Sequence, residues 1–315
     1  MPIGVYTGLA ITGSCVRDVV TDPDAQVAAV LALHERFHAP LMLTAMDLSA
    51  EAEIFGCEVR MADDEIPAVI GRRATTAAEI ETLPVPVPGD GRTRVHLETA
   101  RKLGSASHGL PVIGGLIGPF SLAARIFGVS ETLEATLSQP ELVLSLLEKA
   151  TSFLAEYAMA FRTAGAAGVI MAEPAAGLLS PRGLAKFSSP FVKQIVTGAQ
   201  NENFAIILHN CAAKLAHLPK VLESGAEIYH FGAPMDLLAA LQQVKGEVIL
   251  CGNLDPTHII HDGTPDTIRT EAMHLLHAAA GNPAFVLSSG CDLPPGTRLE
   301  NVEVFYQVVQ SALPI

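Results

Sequence analysis

Short apolar runs alternate along the chain with longer stretches in which apolar residues recur every three to four positions. The first pattern is typical of buried strands and the second of amphipathic helices. Because parallel strands need helical crossovers, this alternation predicts an α/β fold, a single (β/α)8 TIM barrel over residues 1–315. A doubly wound open sheet is the main alternative. The predicted strands are residues 3–10, 40–46, 111–117, 168–172, 204–208, 227–231, 247–251 and 284–287.

The strongest helical pattern covers residues 140–161, where apolar side chains recur at three and four positions. Ser138 and Glu141 have the spacing of a capping box at the start of this helix. The same spacing between Thr297 and Glu300 predicts the start of a final helix that ends near residue 311.

The segment over residues 51–93 separates the second predicted strand from its helix. It is long for a strand-to-helix connection, and it carries a cluster of prolines. Connections of this length usually serve a function. We therefore expect an extended loop at this position of the barrel.

Composition narrows the class of protein. Hydrophobic residues make up 49% of the 315 residues and charged residues 17%, which is typical of a packed globular protein. Lys and Arg number 20 against 33 Asp and Glu, a net charge of −13, so neither nucleic acid nor an anionic membrane surface is an expected partner. The five cysteines are irregularly spaced and no signal peptide is evident, which favours reduced thiols and a cytoplasmic location.

The carboxyl ends of the predicted strands are the place to look for chemistry, because catalytic groups of such a barrel come from there. Polar side chains with catalytic or metal-binding chemistry follow most of these strands. In chain order they are Asp47, Glu173, His209, Cys211, His230, Asn253, Asp255 and Cys291. We expect them to lie together at one rim of the barrel.

His209 and Cys211 are two positions apart at a strand end, a spacing that points both side chains in the same direction. Alone, such a pair is weak evidence, because buried cysteines and hydrogen-bonded core histidines are common. Cys291 follows the last predicted strand and supplies a third ligand of suitable type. A His, Cys, Cys set predicts a Zn²⁺ site with an open fourth position, which favours catalysis over a structural role.

Three segments carry a resemblance that runs over nearly the whole chain. They are Met-Asp-Leu-Ser-Ala-Glu-Ala-Glu-Ile-Phe-Gly (46–56), Gly-Asn-Leu-Asp-Pro (252–256) and Gly-Cys-Asp-Leu-Pro-Pro-Gly-Thr-Arg-Leu-Glu-Asn-Val (290–302). The sequence resembles the uroporphyrinogen decarboxylase superfamily, in its corrinoid-dependent methyltransferase branch, which includes methylcobamide:coenzyme M methyltransferases. In that branch a His-x-Cys pair and a distant Cys hold the metal, and His209, Cys211 and Cys291 match them residue by residue.

True uroporphyrinogen decarboxylases differ from this sequence at two places. Their first strand ends in an Arg-Gln-Ala-Gly-Arg-Tyr motif whose arginines meet substrate carboxylates, whereas residues 7–13 read Thr-Gly-Leu-Ala-Ile-Thr-Gly. Near the C-terminus they carry Gly-His-Gly where this chain has Gly290, Cys291 and Asp292. A tetrapyrrole with many carboxylate arms would therefore meet little positive charge here.

The resemblance implies an enzyme that moves a methyl group from a methylcobamide to a small thiol such as coenzyme M. Coordination to Zn²⁺ would remove the thiol proton at neutral pH and make the sulfur nucleophilic. The chain has no Asp-x-His-x-x-Gly corrinoid-attachment pattern, so the corrinoid is expected on a separate protein or free in solution. Three alternatives stay open: a decarboxylase, a non-catalytic module that binds a corrinoid protein, and a methyltransferase whose acceptor is homocysteine or tetrahydrofolate.

Five other rim residues are candidates for direct roles. Glu173 and Asp255 are candidate catalytic residues, either as a fourth zinc ligand or as acceptors that hold the ligand histidine, and the alternative is that they cap the next helix. Asp47 resembles the superfamily's active-site acid at the end of the second strand, with a helix cap as its alternative. His230 and Asn253 are assigned to cofactor binding, and a hydrogen-bonded core residue is the alternative for His230.

Overall fold

The computed structural model describes residues 2–312 and shows a curled parallel sheet surrounded by helices. Its strands are β1 (Met42–Leu43), β2 (Glu58–Arg60), β3 (Ala68–Ile70), β4 (Val112–Ile117), β5 (Gly168–Ala172), β6 (Ala205–Asn210), β7 (Ile228–Phe231), β8 (Ile249–Leu254) and β9 (Phe285–Ser289). Its α-helices are α1 (Leu9–Thr12), α2 (Val16–Thr21), α3 (Pro23–Phe37), α4 (Ala50–Ile54), α5 (Ala77–Thr82), α6 (Thr93–Ala106), α7 (Pro119–Phe127), α8 (Val129–Ser138), α9 (Pro140–Thr163), α10 (Pro181–Phe187), α11 (Ser189–Ala199), α12 (Leu218–Leu222), α13 (Leu237–Val244), α14 (Pro265–Ala278) and α15 (Leu299–Ala312). Short 3-10 turns cover Val5–Gly8, Ala175–Leu178 and Leu215–His217, and a π-helical turn covers Pro256–His261.

Seven of these strands form one parallel sheet in the order β1, β4, β5, β6, β7, β8, β9. From β4 onward, each strand is joined to its neighbour through one or more helices, as parallel pairing requires. Every residue of β4 and β5 is buried, which is why these strands appear in the sequence as unbroken apolar runs instead of alternating ones. The α/β class with helical crossovers is therefore confirmed.

The prediction of a first strand over residues 3–10 is wrong. Only Ile3 makes a sheet contact there, as an isolated parallel bridge to Asp292, and its N–H donates to Ser289 Oγ at 2.9 Å. The 3-10 turn over Val5–Gly8 and then α1 follow directly, and the residues of the turn are buried. A short buried apolar run does not distinguish a strand from a helical turn. Within residues 2–312 the sheet thus has seven strands and one bridge where eight strands were expected.

Helix α9 confirms the long predicted helix, but its predicted capping box is wrong. Ser138 is the last residue of α8, and its Oγ donates to Glu134 O at 3.1 Å. The capping box expected at Thr297 is also missing from the described chain, because that hydroxyl donates to Pro294 O at 2.7 Å. In both cases a nearby carbonyl competes successfully for the hydroxyl.

The connection after β1 is folded instead of being an open loop. It holds α4, the antiparallel hairpin of β2 and β3, and α5, before α6 begins at Thr93. Ile66 and Pro67 lie between the two hairpin strands and line the cavity described below. The extended segment predicted over residues 51–93 therefore contributes one wall of that cavity.

The buried apolar side chains form two clusters. The larger one fills the space between the sheet and most of the helices, and the smaller one joins Phe37 to residues of β8, β9, α14 and α15. Among the helices described over residues 2–312, none combines the length and the apolarity that crossing a bilayer would require.

Candidate metal centre and cavity

Three predicted ligands converge at the carboxyl end of the sheet. His209 lies in β6, Cys211 follows that strand directly, and Cys291 lies just beyond β9. Their ligand atoms all lie within 4.8 Å of one another. Two strands separate β6 from β9, so across a flat sheet they would be about 14 Å apart. The curl of the sheet therefore brings the three side chains together, and the predicted grouping is confirmed.

Glycines permit close packing around both cysteines. A Cβ atom at Gly232 would lie 2.1 Å from Cys211 O, and one at Gly290 would lie 2.9 Å from Ala233 N. Only glycine tolerates such approaches, because any other residue would bring its Cβ into the neighbouring backbone. The loops that carry the two thiols are thus packed against the loop that follows β7.

His230 holds the ring of His209. The pairing of β6 with β7 places the two residues side by side, and their Nδ1 atoms are 2.8 Å apart. The Nε2 atom of His230 lies 2.8 Å from Ser288 Oγ. Burial lowers the pKa of His230 well below its usual value, so this ring is neutral.

A consistent assignment of the protons follows from these contacts. If His209 donates from Nδ1 to His230 Nδ1, the proton of His230 is on Nε2 and points to Ser288. The Nε2 lone pair of His209 is then free, and this atom lies 3.5 Å from Cys291 Sγ. An imidazole whose second nitrogen is fixed by a hydrogen bond is the usual form of a metal-binding histidine.

The two thiols lie close enough to influence each other's pKa. The hydrogen bond with Cys291 lowers the pKa of Cys211, and that same bond, with burial as the next cause, raises the pKa of Cys291 to about 12. The contact between the two sulfurs thus shifts their pKa values in opposite directions. A divalent cation between them would stabilise both thiolates.

The donor set fits zinc. Tetrahedral Zn²⁺ with Zn–S bonds of about 2.3 Å and Zn–N bonds of about 2.0–2.1 Å separates its ligand atoms by about 3.5–3.8 Å. The 3.5 Å separation of Cys291 Sγ and His209 Nε2 meets this requirement. One imidazole and two thiolates are also ligand types that zinc accepts, and they leave one tetrahedral position open.

The cluster lines a cavity of about 180 Å³ at the carboxyl end of the sheet. A ligand in the open position would enter a partly enclosed and mostly apolar space, which suits a small molecule. The other lining residues are Met46, Leu48, Ile66, Pro67, Ala172, Pro174, Arg125 and Asp292.

Asp47 lies outside this cavity, although both of its chain neighbours line it. Its side chain is fully buried and is paired with Arg92, whose Nε also donates to Glu53 Oε2 at 2.6 Å. Asp47 accepts two further bonds from Ser49, one from the N–H at 3.0 Å and one from the hydroxyl at 2.6 Å. The structure therefore places Asp47 in an ion-pair network next to the start of α4.

Glu173 is buried at the start of α7. Its carboxylate accepts bonds from the N–H groups of Phe120 and Ser121, both at 2.9 Å, and from the Ser121 hydroxyl at 2.6 Å. Burial raises its pKa to about 7 against the opposing effect of these bonds. A Cβ at Gly118 would lie 2.3 Å from Glu173 Cγ, so glycine makes room for this contact. The contacts are those of a helix cap, and the bond to the His209 ring comes from His230 instead.

Asp255 holds the backbone after β8, and Asn253 holds the loop that follows β7. Asp255 accepts bonds from the N–H groups of Thr257 and His258 and caps the π-helical turn. Asn253 donates from Nδ2 to Gly232 O at 3.0 Å and to the carbonyl of Met235 at 2.7 Å. Neither residue lines the cavity of the metal cluster. Asn253 does bind the same loop that packs against Cys211.

Sequence reasoning missed two charged residues of the cavity. Arg125 lies in the last turn of α7, and Asp292 follows Cys291. Both carboxylate oxygens of Asp292 are buried without a hydrogen-bond partner in the described chain, and burial raises its pKa well above its usual value. The position of Asp292 beside a predicted ligand is the one sequence signal that was available, whereas Arg125 belongs to no motif.

The fold and the cluster together define a class, an α/β protein with a candidate metal centre at the carboxyl ends of curled parallel strands. A family model described as Uroporphyrinogen decarboxylase (URO-D) matches residues 5–312, so the chain belongs to this family.

The relatives include methyltransferases and decarboxylases. Methylcobamide:CoM methyltransferase MtbA of Methanosarcina acetivorans is 30% identical over 289 residues, which cover 89% of this chain and 83% of the relative. Uroporphyrinogen decarboxylase of Xanthomonas euvesicatoria pv. vesicatoria is 28% identical over 308 residues, covering 92% and 85%. Among solved structures, a methyltransferase from Methanosarcina mazei matches with a TM-score of 0.89 at 24% identity, covering 98% of this chain and 91% of that chain. This last match supports the fold alone.

Proposed function

We propose that the protein is a zinc-dependent methyltransferase that moves a methyl group from a methyl-corrinoid to a small thiol such as coenzyme M. The observation that carries the proposal is the grouping of His209, Cys211 and Cys291 on the wall of a small cavity. The similarity to a methylcobamide:CoM methyltransferase supports the same activity. The other activity among the relatives, decarboxylation of a large polycarboxylate, fits the cavity poorly because Arg125 is its only cationic side chain among the described residues.

The three side chains would hold the metal, and the cavity would receive the thiol. When bound, Zn²⁺ supplies a Lewis acid that lowers the pKa of a thiol in the open position. His230 orients the ligand histidine through the 2.8 Å contact between the two rings. The apolar walls, among them Met46 and Leu48, exclude water from the thiol sulfur and strengthen its electrostatic interactions.

The methyl donor must approach from outside. A corrin ring is much larger than a cavity of about 180 Å³, so the ring would lie across the mouth with its methyl group pointing inward. The thiol sulfur attacks the methyl carbon, a C–S bond forms, and the Co–C bond breaks with both electrons left on cobalt. The thiol proton goes to solvent. We expect the corrinoid to arrive on a separate protein or as free methylcobamide, and the protein supplies the alignment of the two reactants.

The test uses the zinc-loaded protein with methylcobalamin as the donor. Coenzyme M, homocysteine and tetrahydrofolate are added in separate assays, and loss of the methylcobalamin absorbance is followed. We expect loss with coenzyme M, no loss with tetrahydrofolate, and at least about a 100-fold slower reaction in Cys291→Ser, with zinc content falling in parallel.

Cys15→Ser is the matched control, because Cys15 lies outside the cluster and serine preserves the N-terminal cap that it forms on α2. This variant should retain both zinc and activity. An unchanged absorbance with every acceptor, or full activity in zinc-free Cys291→Ser, would overturn the proposal.

A further inference from the structure

An apolar depression lies beside the metal cavity. It has a volume of about 240 Å³ and is lined by Ser121, Arg125, Val129, Pro174, Ala175 and Leu178. Arg125 and Pro174 also line the metal cavity, so the two spaces share part of one wall. A ligand that is too wide for the metal cavity can therefore extend into the depression.

Two large apolar side chains of this depression are in contact with water. Leu178, the last residue of the 3-10 turn after β5, is 58% exposed, and Val129, the first residue of α8, is 44% exposed. Scattered exposed apolar residues need no explanation, whereas neighbouring ones that line one depression indicate a binding surface.

The hairpin of β2 and β3 continues the apolar surface. Arg72, just after the hairpin, pairs with Glu131 in the first turn of α8 at 3.4 Å, and a Cβ at Gly128 would lie 2.9 Å from Arg72 Cδ. The end of the hairpin is thus held against the start of α8. Ile70, the last residue of β3, is 40% exposed, so a third exposed apolar residue lies on this side of the cavity.

The rim at the ends of β7 and β8 has a different character. A depression of about 280 Å³ lies there, and its lining includes Asp236, Asp255 and Glu271. Among the described residues it shares none of its lining with the metal cavity. A ligand whose apolar face covered these acids would remove water from them at a cost in free energy. The side at β4 and β5 is therefore the better platform for an apolar ligand.

The proposed methyl donor requires a platform of this kind. A corrin ring is a flat macrocycle with a hydrocarbon framework and neutral amide arms, and it is much wider than a cavity of about 180 Å³. When its methyl group points into the cavity, the ring must extend over the rim. On the side of the shared wall it would cover Val129 and Leu178.

We infer that the apolar depression is the docking surface for the part of the corrin ring that extends over the rim, with Leu178 and Val129 as its main contacts. The inference rests on the proposed function for the identity of the donor, and it adds the side of the rim on which the ring lies. The occupant is the ring itself and not a protein that carries it. Leu178 and Val129 are positioning residues, because they hold the ring and line only the depression.

The test measures equilibrium binding of methylcobalamin to the zinc-loaded protein by calorimetry, with no thiol present, so that no methyl transfer occurs. Loss of a buried apolar contact should weaken binding about 5- to 20-fold in Leu178→Ser and about 3- to 10-fold in Val129→Ser. Leu178→Met keeps the apolar contact and should bind within about twofold of the unaltered protein. In turnover assays Leu178→Ser should raise KM for methylcobalamin by a similar factor and leave KM for the thiol unchanged.

Leu137→Ser is the matched control. Leu137 is 89% exposed near the end of α8, and it lines neither the depression nor the metal cavity. This variant loses as much apolar surface as Leu178→Ser but should bind methylcobalamin as the unaltered protein does. All of the variants should keep their zinc, which separates loss of docking from damage to the metal site.

The outcomes separate this inference from the proposed function. If methylcobalamin binding depends on Leu178 but no acceptor is methylated, the docking surface stands and the methyltransferase proposal fails. If methyl transfer proceeds while Leu178→Ser and Val129→Ser bind methylcobalamin as tightly as the unaltered protein, the inference is overturned and the methyltransferase proposal stands. Equal weakening in Leu137→Ser, or no binding of free methylcobalamin to the unaltered protein, would also overturn the inference.

Discussion

Two groups of charged side chains near the loop that follows β1 differ in how the protein pairs them. In one group Asp47 and Glu53 share Arg92, and Ser49 supplies further bonds to Asp47. In the other, Arg125 faces the cavity without a partner in the described chain. A network whose members satisfy one another needs no ligand, whereas an unpaired charge in a cavity indicates one. This contrast separates structural acids from candidate functional groups better than residue type does.

The largest expected effect comes from breaking the paired network. Arg92→Met leaves the fully buried carboxylate of Asp47 without its cation, and removal of one partner of a buried ion pair costs about 3–5 kcal/mol. Urea unfolding should show this loss in the free energy of unfolding, while folded protein keeps its zinc affinity. Arg94→Met is the control, because its pair with Glu98 is exposed and should contribute less than about 1 kcal/mol. An equally small loss of unfolding free energy in Arg92→Met and Arg94→Met would mean that the buried network is no more important for stability than an exposed ion pair.

Glu51 lies in α4, near Arg125, and makes stability depend on pH. Burial raises its pKa from 4.5 to about 7, so the folded chain holds a proton that the unfolded chain has already released. The free energy of unfolding should therefore fall as the pH rises from 4.5 to about 7, by on the order of 3 kcal/mol from this residue.

Glu51→Gln tests this dependence. The variant should lose this share of the decrease, on the order of 3 kcal/mol, whereas Glu173 and Asp292, whose pKa values burial also raises, keep theirs. Urea unfolding at pH 5 and at pH 8 measures the difference for both chains. If the free energy of unfolding changes with pH equally in the two chains, Glu51 is ionised in the folded protein and is paired after all.

A smaller effect is expected at His230, which contacts the metal cluster and whose two ring nitrogens both have hydrogen-bond partners. His230→Phe removes the acceptor that orients the ring of His209, and loss of such a partner typically lowers metal affinity about 10- to 100-fold. Competition with a chelator measures the zinc affinity of each folded variant. His230→Gln keeps an amide oxygen and should recover part of the loss. Equal affinity in all three chains would mean that the histidine pair does not orient the ligand.

The metal cluster can be predicted from the sequence because each of its ligands lies at or just after the end of a recognisable strand. Apolar runs mark seven of the sheet strands, and His209, Cys211 and Cys291 are placed by where those strands end. The first run fails because burial alone does not choose between a strand and a 3-10 turn. The contact of His209 with His230 depends on the register of β6 against β7, which is set by tertiary packing and leaves no mark in the chain.

The acidic residues show a second limit of prediction from the sequence. Asp47 and Glu173 have the residue type and the position of catalytic groups, but their surroundings are an ion-pair network and a helix start. Arg125 has neither a motif nor a strand-end position, and only the packing of α7 places it on the cavity. Whether a charge is paired is a property of the folded chain, so the sequence cannot sort these residues.

The smallest expected effect on stability comes from replacing Arg125, in the cavity wall, with methionine, as in Arg92→Met. Arg125→Met removes no hydrogen bond and no ion pair described in the chain, and methionine retains much of the apolar contact of the stem. The free energy of unfolding should change by less than about 0.5 kcal/mol in either direction, against the several kcal/mol expected for Arg92→Met. Urea unfolding of the two variants under one condition makes the comparison direct. A loss above about 2 kcal/mol in Arg125→Met would mean that the guanidinium is held by the protein itself, and it would leave no free cation for a ligand.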